Sequence, residues 1–349
     1  MKRFFCTCGS PVFFESSYCL GCNRPLGFDP ELLEMLSLEL SQGGGYCAAG
    51  GHGTKEYHHC RNRIEHDVCN WLVPADAALN YCIACRINEV IPALSSGKNR
   101  VLWARLEAAK RRLIFSLLSL GLPLQLAGAA TLSFRFLEDQ RNNPNVRESA
   151  VVTGHMGGTI TINVAEADDS VRHAVREDMQ ERYRTLLGHF RHESAHFYFH
   201  PMVAIEPATL GEFRGLFGDE REDYGAAMER YYGVTGDRVT WQGRYVSAYA
   251  SSHPWEDWAE TWAHYLHIRD TLETAAAWGV IPPPDTVRES DQWIDSWMDL
   301  SVILNELNRS MGTDDPYPFV LSELVADKLS FVHRRVVPRM EDEAASVIR

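Results

Sequence analysis

Past Cys85 the sequence contains no cysteine: all nine lie between Cys6 and Cys85. Disulfide stapling is therefore excluded for the larger part of the chain. Positive charge is also in short supply. Lys and Arg number 34 against 47 Asp and Glu, for a formal net charge of -13. Phosphate backbones and anionic bilayers are gripped by clustered cations, so this balance argues against a general nucleic-acid binder and against a membrane-surface protein. The opening MKRFFCTCGS is positive but no apolar run follows it, so no secretory signal is expected. A cytoplasmic, reducing compartment is the matching expectation, and there paired cysteines bind metal more often than they bridge. Residues 113–134 carry no formal charge and approach bilayer length, but Gly121, Pro123, Gln125 and Gly128 break them up. A helix over 99–120, ended by Gly-Leu-Pro, explains the stretch without a membrane span.

What is present reads as two parts. The chain has 349 residues, 45% of them hydrophobic and 23% charged, which suits an ordinary globular protein of two or three domains. Residues 1–95 are cysteine-rich, with turn residues between short apolar pieces, as in a metal-stapled module. Residues 96–349 are mostly helical in pattern, with helices expected over 99–120, 172–199, 222–232, 254–267 and 290–308. LSFRFLE (132–138) alternates as a strand does, and VVTGHMGGTITINVAE (151–166) reads as a hairpin turning around His155, Met156, Gly157 and Gly158. The fold class is α+β: a zinc-ribbon module, then a mostly helical domain with a small β-sheet.

The cysteines fall into two sets of four. Cys6-x-Cys8 and Cys19-x-x-Cys22 form one, with Gly9 and Gly21 suited to the turns that wrap a metal. Cys60, Cys69 and the knuckle Cys82-x-x-Cys85 form the other, with Cys47 as an alternative to Cys60. Closed sites of four thiolates bind structural zinc and leave no open position for chemistry. The module's expected role is structural or substrate-docking.

Chemistry is expected at HESAH. His192 and His196 are four apart, so one helix face presents both imidazoles to a single metal ion, with Glu193 beside it as general base. Leu186, Leu187, Phe190 and Phe197 bury the other sides of the helix, and Pro201 is expected to end it. A catalytic zinc needs a third protein ligand. Residues 199 and 202 are Phe and Met, which excludes a third histidine at the usual spacing; His200 drifts off the face. The better source is SSHPWEDWAETWAHYLH, where Pro254 suits a helix start and Glu256 and Glu260 stack on one face. Two carboxylates turned inward on so aromatic a helix need a positive partner. Glu256 is assigned as third ligand and Glu260 as the acceptor of a ligand imidazole's N–H, although the reverse order fits as well. The acidic residues Asp219, Glu220, Glu222 and Asp223 read as a solvated helix start. The TITIN strand (159–163) fits either an ordinary sheet edge or a strand that pairs with an extended peptide.

The stretches CNWLVPAD, RHESAHFYF, LFGDEREDY and SAYASSHPWEDWAETWAHYLH resemble the bacterial zinc-binding metallopeptidases that carry an N-terminal zinc-ribbon. That likeness spans nearly the whole chain and implies a zincin-like peptidase domain over 96–349, acting on a peptide or protein substrate. It also points to Cys60, Cys69, Cys82 and Cys85. More distantly, Tyr249, Glu256 and Glu260 are similar in spacing to the Tyr…Glu-x-x-x-Glu arrangement of lethal-factor-type gluzincins. That likeness implies Glu256 as zinc ligand and Tyr249 as oxyanion donor, with Tyr245 a weaker rival. The alternative is a zinc-ribbon protein- or nucleic-acid-binding factor whose peptidase site is vestigial; intact Glu193 and Tyr249 argue against it. The reading predicts three zinc ions per chain, two structural and resistant to mild chelation and one catalytic and labile. Metal analysis that finds two, neither lost in His192→Ala, overturns the active-site assignment.

Overall fold

The computed structural model describes residues 2–50, 55–95, 97–126, 131–141, 143–172, 185–233, 241–283 and 291–347, with backbone alone from 338. The cysteine-rich part opens with a short antiparallel pair, β1 (Phe4–Phe5) and β2 (Pro11–Val12). Five antiparallel strands follow in sequence order: β3 (Leu26–Asp29), β4 (Glu34–Leu40), β5 (Tyr46–Ala48), β6 (Glu56–His59) and β7 (Leu72–Pro74). The sheet curls until its ends meet, and Phe28 of β3 bridges Trp71 beside β7. A short helix, α1 (Arg61–His66), sits between β6 and β7.

A second, mixed sheet belongs to both parts of the chain. Its order is β10 (Gly154–Met156), β11 (Thr159–Asn163), β9 (Ser133–Leu137), β8 (Asn88–Val90). β8 comes from the cysteine-rich part and lies parallel to β9; helix α2 (Gly97–Ser119) makes the crossover between them. Gly157 and Gly158 both take positive φ in the tight turn that joins β10 to β11, as a two-residue hairpin of this hand requires. β11 is paired on both sides, antiparallel to β10 and parallel to β9. TITIN is therefore an inner strand with no free edge, and β10 is the outer one. The sequence pattern could not tell these apart, because both strands of a hairpin alternate alike.

The helical layer begins with α3 (Leu186–Phe199), started by Thr185, whose hydroxyl accepts from the Gly188 N–H at 2.9 Å. Thr185 is itself extended, with φ -115° and ψ 156°, so the helix expected over 172–199 is interrupted there. Residues 173–184 lie outside the described ones. Pro201 does not stop α3. The chain widens into a π-turn, His200–Ala204, in which the Ile205 N–H reaches the His200 carbonyl at 3.2 Å. Wider bonding absorbs the missing N–H and the ring clash of a proline inside a helix. Then come α4 (Pro207–Phe217), α5 (Tyr224–Gly233), α6 (Pro254–Ala277), α7 (Gln292–Ser310) and α8 (Glu323–Val347). α6 outruns its expected end at 267 by ten residues. Among the described residues, no helix is long and apolar enough to cross a membrane.

α2 holds the two parts together. Phe115 packs edge-on against Phe14 and Phe28 of the ribbon, at 5.3 and 5.8 Å between ring centres. Three charged side chains of α2 are buried at the same joint: Glu107, Lys110 and Arg111. Glu107 and Lys110 pair at 2.9 Å with no exposure of either side chain, and Arg111 donates to the Val68 carbonyl at 2.5 Å. Removing one partner of a buried ion pair strands the other charge. Lys110→Met is therefore expected to lower unfolding stability by about 3–5 kcal/mol in urea titration. A loss within error of zero would show that Glu107 is satisfied without it, through its bonds from Asn88 and Trp103.

Candidate active site

The ribbon's cysteines gather as two closed sets. All nine are free thiols. In the first set the sulfurs of Cys6 and Cys22, and of Cys8 and Cys19, lie 3.6 Å apart. In the second, Cys69 and Cys82 are 3.7 Å apart, and all four of Cys60, Cys69, Cys82 and Cys85 are buried. A tetrahedral zinc with four thiolates needs sulfur–sulfur edges of about 3.8 Å, so both sets fit the ion. Cys47 lies on β5, where its thiol reaches the Glu39 carbonyl, and Cys60 completes the second set. The buried Arg111 guanidinium feels the charge of Cys69, Cys82 and Cys85, which offsets the surplus negative charge of a four-thiolate site.

The catalytic-type constellation lies where α3 crosses α6. Two indoles weld the crossing: Trp258 Nε1 donates to the Ala195 carbonyl at 2.9 Å and Trp262 Nε1 to Ser194 Oγ at 3.1 Å. This sets Glu256 and Glu260, one turn apart on α6, against His192 and His196, one turn apart on α3. His192 Nδ1 hydrogen-bonds Glu260 Oε1 at 2.7 Å. Its Nε2 lies 3.0 Å from Glu256 Oε2, and His196 Nε2 lies 4.0 Å from the same oxygen. Ligand-to-ligand edges of about 3.3 Å are expected around a tetrahedral zinc with N and O donors, and these distances bracket that value. Glu256 Oε2 is buried without a hydrogen-bond partner: the 3.0 Å approach to His192 lacks hydrogen-bond alignment. Such an orphaned carboxylate oxygen between two imidazoles fits a cation. Cys-free and made of two His and one Glu, the donor set suits zinc with one position left open.

The electrostatics agree. Burial alone would lower His192, but Glu256 and Glu260 outweigh it and hold its imidazole well above the usual histidine range. A field that pulls a proton onto His192 is one that calls for positive charge. Burial also works to raise Glu256, yet His192 beside it brings its carboxyl down to about 2. His196 has no such partner on its outer nitrogen, and burial lowers it to about 3. Glu193 sits on the same helix, and burial raises its carboxyl above the ordinary range, the direction a general base for water near neutral pH needs. Tyr249, in the turn before α6, brings its ring to 5.8 Å from that of His192. Burial first, then the Glu256 charge, keeps its hydroxyl protonated.

Three more residues meet here that the sequence reading did not single out for the site. Ser247 donates to Glu260 Oε2 at 2.6 Å, so both oxygens of Glu260 are engaged. Tyr224, at the start of α5, donates to Glu256 Oε1 at 3.0 Å. His155 of β10, read as a turn residue, stacks on His196 at 6.1 Å. Each comes from a segment without metal-ligand spacing of its own, so no local pattern flagged it. Tyr245 lies elsewhere, with the Lys328 ammonium 4.5 Å over its ring. His200 is exposed. The acidic loop is used locally: Asp219 pairs with Arg221, Glu220 with Arg214, and Asp223 caps α5 through the Ala226 N–H.

Residues 99–335, which hold the whole constellation, match the family described as "putative zinc-binding metallo-peptidase". The chain belongs to that family. Residues 3–96 match a zinc-ribbon domain family, so each part of this metallopeptidase-family protein matches a family described by zinc. Uncharacterized proteins of Mycobacterium bovis and of two strains of Mycobacterium tuberculosis are 40% identical over 344 residues, covering 95% of this chain and 94% of theirs. No solved structure matches it. Outer-shell carboxylates of zinc-bound histidines typically contribute 10–100-fold in metal affinity. Glu260→Gln is expected to weaken the labile metal by about that factor, and Glu256→Ala to abolish it, in chelator competition. Metal kept by Glu256→Ala but lost from Glu260→Ala would reverse the two roles.

Proposed function

We propose that the chain is a zinc-dependent, gluzincin-like peptidase that hydrolyses peptide bonds. The observation that carries this reading is the convergence of His192 Nε2, His196 Nε2 and Glu256 Oε2, their ligand atoms within 4.8 Å of one another, with Glu260 fixing the tautomer of His192. When bound there, zinc supplies a Lewis acid that polarises a carbonyl and lowers the pKa of water to about 7.

The chain's own residues do the rest. Glu193, raised by burial, takes the proton of the attacking water and delivers it to the leaving amine. Tyr249 keeps its proton and donates to the oxyanion that develops on the substrate carbonyl. Glu260 and Ser247 hold His192 in one orientation, so the first ligand does not rotate. β10 is the outer strand beside α3 among the described residues, with His155 over His196, and an extended substrate adds to that edge through main-chain hydrogen bonds. The two four-thiolate sites bind structural zinc and the His-His-Glu site the catalytic ion, three in all.

Glu193→Gln is expected to retain the labile zinc and to lose turnover by about two to four orders of magnitude, as for loss of a general base. Tyr249→Phe should slow turnover by roughly one to three orders with little change in KM, as for one oxyanion donor. Both are read against an unstructured protein or a peptide library. Hydrolysis undiminished in Glu193→Gln rules out this base.

A further inference from the structure

Tyr224 stands apart from the α3–α6 crossing that builds the site, yet its hydroxyl reaches a metal ligand. Tyr224 is 43% exposed while Glu256 is 3% exposed, so the contact is made by a residue laid over the site from outside. The approach is well defined. His253 caps α6 by accepting from the Trp255 N–H at 3.0 Å through Nδ1, which leaves its Nε2–H to donate to the Glu222 carbonyl at 3.2 Å. That bond ties the loop before α5 to the first turn of α6. Asp223 then caps α5 through the Ala226 N–H at 2.7 Å, and the ring of Tyr224 rests edge-on against that of His253 at 5.3 Å. From there the hydroxyl donates to Glu256 Oε1 at 3.0 Å.

The consequence lies in which oxygen is left. A carboxylate has two oxygens and can hold a metal through one or both. Oε1 of Glu256 is engaged by Tyr224, and Oε2 is the buried oxygen without a partner, facing both imidazoles. We propose that Tyr224 is a positioning residue that restricts Glu256 to binding the metal through Oε2 alone, keeping one coordination position open for water and substrate. This rests on the zinc-peptidase reading above.

Tyr224→Phe removes only the hydroxyl, from a half-exposed residue. Two measurements read it, besides activity. Metal affinity of the labile site, from chelator competition with full-length protein whose ribbon zinc is retained, is expected to fall about 10–100-fold. The visible absorption of cobalt(II) in the labile site is expected to weaken in Tyr224→Phe, because a two-oxygen Glu256 raises the coordination number and absorption intensity follows geometry. Tyr249→Phe, measured beside it, should leave both readouts unchanged. Wild-type affinity together with a wild-type cobalt spectrum in Tyr224→Phe overturns the proposal. So does lost affinity with an unchanged spectrum, since a merely structural loss leaves the binding mode alone. If wild-type protein binds no labile metal at all, the peptidase reading itself fails, a different result from either.

Discussion

Two carboxylates pressed against one imidazole, Glu256 buried and Glu260 partly so, set the terms for the rest of this structure. Glu256 and Glu260 sit on α6 among Trp258 and Trp262 and press on His192 from both of its ring nitrogens. Apolar surroundings make an unpaired carboxylate expensive, so α6 cannot pack without α3 presenting its histidines, and α3 gains nothing from its histidines without α6. The indole hydrogen bonds to Ala195 and Ser194 lock the mutual register at which the four groups meet. Ser247 and Tyr224 then take the carboxylate oxygens that face away from the ring nitrogens. Among the described residues, Glu256 Oε2 and His196 Nδ1 are the atoms of this cluster left without a hydrogen-bond partner, and Glu256 Oε2, facing both imidazoles, is the one that fits a cation.

The same economy governs the joint between the two parts. Four thiolates around a divalent ion leave a net negative charge in the interior. α2 answers it with Arg111 and balances its own Lys110 with Glu107, whose carboxylate also accepts from Asn88 and Trp103. The second cysteine set is thus enclosed by side chains of the helix that begins the peptidase part. Aromatic packing of Phe115 on Phe14 and Phe28 keeps water from that charged cluster.

Much of this was legible in the sequence because the relevant signals are local. HESAH and WEDWAE each place two groups one helical turn apart, and the helix period alone tells which side chains share a face. The cysteine pairs declare themselves by spacing, though choosing Cys60 over Cys47 needed the fold, since nothing in one dimension says which strand turns inward. What stayed hidden depends on contacts between distant segments. Tyr224 reaches Glu256 across 32 positions, and His155 meets His196 only because β10 lies along α3. The π-turn at His200 escaped because proline usually ends a helix; here the helix widens instead. TITIN misled because alternation reports one buried face and is silent on whether a strand's edge is free.

β8 gives the molecule's history a constraint as well. A strand from the cysteine-rich part completes the sheet of the other part, on the far side from β10. A ribbon that merely preceded an enzyme could be lost, exchanged or duplicated as a cassette. Here, cutting between the parts would strip β9 of its neighbour and leave a bare row of backbone donors and acceptors, an invitation to self-association. The two parts are interlocked by backbone as well as by side chains, so they are expected to travel through evolution as a single heritable unit rather than as shuffled modules.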